Sequence, residues 1–218
     1  MLAENDLNVL YKNIKCSINA RLTEFKNIYE CGSAKDIFKE MSFCTCTPQN
    51  NAQKAWNSVC ALAKDGVLFN DDSDTGKIAE MLRSGGVRFH KNKAIYIVRN
   101  RENFYPDTKK IITKTINDHG SIIEVRNYLA KIVLGWGLKE ASHFLRNIGF
   151  GSKLCILDRH ILRQLVLYNV IKEVPKAITK SIYLETEQKM IAFASEQKIP
   201  LDAMDLLFWY KAKNELFK

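Results

Sequence analysis

Lys139 is the residue whose chemistry and place in the chain most constrain what this protein can do. It follows Leu134-Gly135-Trp136-Gly137-Leu138, a tight glycine turn between two apolar, helix-patterned stretches, and so falls in the first turn of the second helix. The positive end of a helix works against an ammonium charge there, and the neutral amine is the nucleophilic form of lysine. Nineteen residues further on, Asp158 follows the apolar strip Leu154-Cys155-Ile156-Leu157 and opens the segment RHILRQLVLY. At a helix N-cap its carboxylate would be held by its own backbone and would suit a cation forming on a sugar. Gly135 and Gly137 remove side chains where the backbone must turn, and the amides freed ahead of the next helix offer a place for a phosphate. Taken singly, the glycine turn is a short connection between packed helices and Asp158 is a helix cap. Taken together, they point to covalent chemistry beside a phosphodiester.

The elements that must position these groups are helical. Apolar residues recur at spacings of three and four, as in Leu7, Leu10, Tyr11 and Ile14 and then Ile18, Leu22 and Phe25, with charged residues between them. Ser33 with Asp36 forms a capping-box-like start before Ile37, Phe38 and Met41, and Asp158 and Thr179 are further caps. Breaks fall at Gly32, Thr47-Pro48, Asn70 to Gly76, Gly85-Gly86, Tyr105-Pro106, Gly120, Gly135 to Gly137, Gly149 to Gly151, Pro175 and Pro200. They cut the chain into about ten short helices, giving an all-α protein whose sites come from loops and helix ends that converge in space, with a cleft expected between two lobes. Internal repeats and low-complexity tracts are missing.

With 33 Lys+Arg against 24 Asp+Glu, the 218-residue chain carries a formal charge of +9. That excess favours a polyanionic partner over an acidic one. Cys16, Cys31, Cys44, Cys46, Cys60 and Cys155 form no CxxC pair. They read as reduced, mostly core thiols of a cytosolic protein rather than as a disulfide framework. His90, His119, His143 and His160 show no metal-ligand spacing with them and read as structural. No apolar run approaches a membrane span.

Residues 121–163 contain KEASHFLRNIGF followed by ILDRHILR, and on these together with Gly135, Gly137, Lys139 and Asp158 the chain resembles the helix-hairpin-helix DNA glycosylases. More specifically, from Phe43 to Lys218 it is similar to the prokaryotic 8-oxoguanine DNA glycosylase/AP lyase family that ends in a lysine. The resemblance implies a compact, two-lobed glycosylase unit over 1–218 with the hairpin motif at 122–148, acting as a monomer on double-stranded DNA containing 8-oxoguanine. It implies Lys139 as the amine that displaces the base through a Schiff base, followed by β-elimination 3′ to the abasic site, and Asp158 as its carboxylate partner. Phe89 and Trp209 would sandwich the flipped purine and the terminal carboxylate of Lys218 would contact it, where Phe89 and Trp209 are otherwise core residues and Lys218 a frayed end. Gln49 or Asn50, in the loop Thr47-Pro48-Gln49-Asn50-Asn51, would fill the gap left by the base, a loop that reads equally as a proline turn with an asparagine cap. Arg88, Lys91, Lys93, Lys153, Arg159 and Arg163 are candidates for tracking phosphates or plain surface charge.

The chain departs from that family before its end, where Lys211-Ala212-Lys213-Asn214 stands in place of a Thr-Gly pair, and Asn214 is expected to take over the helix-ending turn. No cysteine follows Cys155, which excludes the iron-sulfur cluster of the endonuclease III branch, and no metal or organic cofactor is expected. A nucleoid-associated cytoplasmic location follows. Two other readings stay open: the same superfamily acting on another damaged or mispaired base, and a non-enzymatic helix-hairpin-helix module that only clamps phosphates.

Overall fold

A computed structural model describes residues 2–72 and 74–218, with side chains described from Asp6 onward. The described residues form eleven helices, and the chain divides into two compact units, one made of the segment ending at Asn27 together with Leu145–Lys218, the other of Ile28–Phe144. The divisions fall inside helices α1 (Leu2–Glu30) and α8 (Leu138–Asn147).

The unit Ile28–Phe144 is built around α2 (Ala34–Cys46), which packs against α3 (Ala52–Lys64), α5 (His90–Phe104) and α6 (Thr108–Asp118). Nine of its thirteen residues are buried, from Ile37 and Phe38 to Cys46, as expected of a helix covered on several sides. The Ser33–Asp36 capping box starts it as the sequence indicates. Within the helix, the hydroxyls of Ser42 and Thr45 donate to the carbonyls of Phe38 (2.9 Å) and Met41 (3.0 Å). Helix α4 (Thr75–Ser84) lies against α3 and α5, and α7 (Ile122–Ile132) against α6. The loop before α4 is gripped by Arg101 of α5, 1% exposed, which donates to the carbonyls of Val67 (3.1 Å) and Asp71 (3.5 Å).

In the other unit, α11 (Leu201–Lys213) packs on α9 (Arg159–Leu167) and α10 (Lys180–Glu196). The ring of Tyr168, just past α9, stacks on Phe208 of α11 at 5.6 Å, and Phe193 of α10 completes the cluster. Leu7, Tyr11, Ile18 and Phe25 form the buried stripe of α1. It is one continuous helix, as expected from a stripe that no glycine or proline interrupts before Gly32. Asn214 has φ 57° and ends α11 in the left-handed turn expected of it.

The cysteines depart from expectation. Cys44, Cys46 and Cys155 are buried, but Cys16 and Cys31 are exposed and Cys60 is intermediate, and all six are free. The two exposed thiols sit on the polar side of α1 and just past its end.

Phe208 is fully buried in its cluster, so Phe208→Ala should destabilise the protein by about 3 to 5 kcal/mol. Urea unfolding followed by far-UV circular dichroism would show the lowered midpoint.

Candidate active site

The hairpin between α7 and α8 is fixed at three points in its own unit. The buried side-chain amide of Asn100 on α5 accepts the Leu134 N–H on Oδ1 (2.9 Å) and donates from Nδ2 to the Leu134 carbonyl (3.1 Å). Trp136 is 8% exposed, donates from Nε1 to Thr45 Oγ1 on α2 (2.9 Å), and lays its ring 5.2 Å from that of Phe144. Between them, Gly135 has φ +85° and a β-carbon there would stand 2.4 Å from Cδ2 of Tyr96. Both the backbone angle and the neighbouring ring require glycine at that position.

Gly137 differs from expectation. It lacks a positive φ, an added β-carbon would meet nothing nearer than Glu140 Oε2 at 3.5 Å, and its amide is not free, because it donates to that same carboxylate oxygen at 3.0 Å. Glu140 satisfies the amide just ahead of α8 from three residues on, as the reciprocal half of a capping box does.

Lys139 stands in the first turn of α8 as predicted, with its side chain 21% exposed rather than open to solvent. Its Nζ donates to Thr47 Oγ1 (3.0 Å) and lies 3.7 Å from Glu140 Oε1, an opposite charge that works against the repulsion of the helix end. Thr47 closes the C-terminal end of α2. The flanking carbonyls of Cys46 and Pro48 both accept bonds from Lys93 Nζ, at 2.8 and 2.9 Å. Lys93 is 4% exposed and does not lie on the surface, so it does not track phosphates as the sequence suggested. Burial lowers its pKa, the Cys46 thiol works in the opposite direction, and the charges of Lys139 and Arg88 lower it further. Burial likewise pushes the Cys46 thiol up to about 12, only partly offset by Lys93, so that thiol stays protonated.

Asp158 belongs to the other unit and is the N-cap of α9, as the sequence indicates. Its Oδ1 alone accepts both the His160 and the Ile161 amides, each at 2.8 Å. The apolar strip leading to it is buried and anchored by α10, where Glu187 Oε1 accepts the Cys155 amide (3.1 Å) and the Tyr183 hydroxyl donates to the Cys155 carbonyl (2.5 Å). His160 packs edge-on against the Trp209 ring at 5.3 Å. Burial lowers the His160 pKa, and Lys213 and Arg163 add to the effect while Asp158 opposes it.

Trp209 is half-buried, and its indole Nε1 is buried with no hydrogen-bond partner. Lys218 is partly buried, and the tail before it is held by Arg21 of α1, which donates to the Leu216 carbonyl at 3.0 Å. Phe89 is not a core residue. It is 52% exposed, has φ 57°, and precedes α5 with the Arg88 guanidinium 5.6 Å from its ring centre. Gln49, also at positive φ, is exposed, while Asn50 is half-buried with a buried Nδ2 that lacks a partner. Asn51 caps α3 by accepting the Lys54 amide at 3.0 Å. Arg88, Lys91, Lys153, Arg159 and Arg163 are all exposed. Among the described residues no group of three or more His, Cys, Asp or Glu could hold a metal ion, and no helix is long and apolar enough to cross a membrane.

Thr47 and Lys93 are the residues that motif reading missed. A signal for Lys93 was present: Lys93, Ala94, Ile97, Asn100, Arg101 and Phe104 fall on one helical stripe, and all six are buried.

An all-helical fold with a glycine-locked hairpin that presents a half-buried amine is that of the helix-hairpin-helix DNA glycosylases. A family profile described as 8-oxoguanine DNA glycosylase matches residues 18–199, and the chain belongs to that family. Over 98% of its length it is 44% identical to the 8-oxoguanine DNA glycosylase/AP lyase of Fusobacterium nucleatum subsp. nucleatum, covering 97% of that protein. It is 34% identical to the Methanocaldococcus jannaschii protein of the same name, over 94% of this chain and 93% of that one. Its fold matches the crystal structure of the 8-oxoguanine DNA glycosylase of Thermotoga maritima with a TM-score of 0.86 at 30% identity, over 99% of this chain and 98% of that one. The Methanocaldococcus jannaschii 8-oxoguanine glycosylase/lyase in complex with a 15mer DNA containing 8-oxoguanine matches with a TM-score of 0.88 at 32% identity, over all of both chains.

Gly135→Ala combines a disfavoured φ with a steric clash and should cost more than about 1 kcal/mol. Gly137→Ala, which meets neither obstacle, should cost clearly less. Thermal melts of the two variants test this ranking, and equal losses would remove the special status of Gly135.

Proposed function

We propose that this protein excises 8-oxoguanine from double-stranded DNA and then cleaves the strand at the resulting abasic site, with Lys139 as the nucleophile. The observation that carries this reading is the half-buried primary amine of Lys139, set one turn beyond a locked hairpin in a chain similar along its whole length to 8-oxoguanine DNA glycosylase/AP lyases. Attack of the neutral amine on C1′ forms a carbon–nitrogen bond as the bond to the base breaks and the base departs with a proton. Opening of the sugar ring gives a Schiff base. Loss of a C2′ proton then expels the 3′ phosphate by β-elimination, so one lysine serves both steps.

Asp158, its carboxylate already fixed by two amides, stabilises the oxocarbenium-like sugar and helps move the amine's proton. The exposed ring of Phe89 and the half-buried ring of Trp209 are the faces between which the extruded purine stacks, and the Lys218 carboxylate contacts its edge. Asn50, whose buried Nδ2 lacks a partner, or the exposed Gln49 fills the gap in the duplex. The turn around Gly135 and Gly137 approaches a phosphate, with the Gly137 amide already engaged by Glu140. The net charge of +9 draws the enzyme to DNA. It works as a monomer in the cytoplasm, on the nucleoid, without a cofactor.

Lys139→Gln should abolish borohydride trapping on an 8-oxoguanine duplex while salt-sensitive DNA binding persists; trapping at the wild-type level would overturn the choice of nucleophile. Trp209→Ala should weaken binding to the 8-oxoguanine duplex by about 1 to 3 kcal/mol, the worth of one stacked base. A duplex carrying an abasic site, which has no base to stack, should bind that variant as it binds wild type.

A further inference from the structure

Two lysine amines meet the Cys46–Pro48 turn, Lys139 at the Thr47 hydroxyl and Lys93 at the carbonyls on either side of it. Pro48 has no N–H, so the Cys44 carbonyl loses the donor that would continue α2. The Thr47 hydroxyl donates to Cys44 O at 2.9 Å, closer than the Thr47 amide, which reaches the same oxygen at 3.4 Å. A hydroxyl has one proton to give, and here it is spent. Toward Lys139 Nζ, at 3.0 Å, Thr47 Oγ1 is therefore an acceptor only. It holds an N–H of the amine, and in the neutral form the nitrogen lone pair is left for an electrophile.

The turn itself is held from α5. Lys93 Nζ bonds the carbonyl on either side of Thr47, at 2.8 and 2.9 Å, from a side chain 4% exposed. Burying an ammonium is costly unless its protons are satisfied, and these two carbonyls, at a helix end with few other donors, satisfy two of the three.

We propose that Thr47 and Lys93 are positioning residues for Lys139: Lys93 locks the turn, and the locked Thr47 hydroxyl aims the amine. This rests on Lys139 being the nucleophile. The charge of Lys139 contributes to the lowered pKa of Lys93, in keeping with two amines held close together by one turn.

The test is the single-turnover rate of borohydride trapping on a duplex with an abasic site, at saturating enzyme, measured beside duplex affinity and thermal stability. Thr47→Val should slow trapping roughly tenfold to a hundredfold, the scale of a misplaced reacting group, with affinity unchanged, and Thr47→Ser, which keeps the hydroxyl, should restore the rate. Lys93→Met should slow it similarly and Lys93→Arg should recover part of the loss. The double variant Thr47→Val with Lys93→Met should be no slower than the slower single variant, because both act along one path.

Should Lys93→Met fail to fold, the Thr47 pair decides alone. A folded Thr47→Val protein that traps at the wild-type rate, or Thr47→Ser as slow as Thr47→Val, overturns the proposal. Lys139→Gln run in parallel separates the two ideas: trapping by that variant defeats the nucleophile itself, whereas its loss alongside full-rate Thr47→Val defeats only the positioning role.

Discussion

Only a hydrogen atom fits between the Gly135 backbone and the Tyr96 ring, and the placement of Lys139 depends on that close approach. With the turn pressed onto α5, the Asn100 amide can bind both backbone groups of Leu134, and the Trp136 indole can reach Thr45 on α2. Two helices of one packed core thus dictate where α8 begins. Since Lys139 is the second residue of α8, its backbone is placed almost as rigidly as the core.

The same unit spends buried polar groups on loops rather than on helices. Asn100, Arg101 and Lys93 all lie on the buried stripe of α5, and each binds carbonyls or amides of a segment that has no regular partner of its own. An unpaired backbone group in such a place would cost about 1 to 3 kcal/mol. One helix therefore fixes three loops, including the two on either side of the Lys139 amine. In the other unit α10 plays a comparable part, with Glu187 and Tyr183 holding the strand-like strip that ends at Asp158.

Local signals were legible in the sequence, because periodicity, caps and breaks are written within a few residues of where they act. The all-helical class, the Ser33, Asn51, Asp158 and Thr179 caps, the left-handed Asn214 and the hairpin itself could all be read in this way. What escaped was long-range. The partners of Lys93 lie 45 and 47 positions away, and those of Thr47 and Lys139 are 92 apart, so a lysine in a basic helix looked like surface charge. Gly137 misled for the opposite reason: its spacing suggested a conformational need, but a carboxylate three residues on had already taken its amide. Phe89 could be read as core or as pocket, and only its exposure decided against the core.

Both amide bonds at the start of α9 fall on a single oxygen of Asp158. An asparagine there would offer a carbonyl oxygen in the same place and so preserve the helix start, removing nothing but the negative charge. The helix start and the charge it carries are thereby separable at one atom. Under the role proposed for Asp158, a descendant that had retired from catalysis to become a mere lesion sensor would keep this shape intact, and the identity of that one side chain would betray the change.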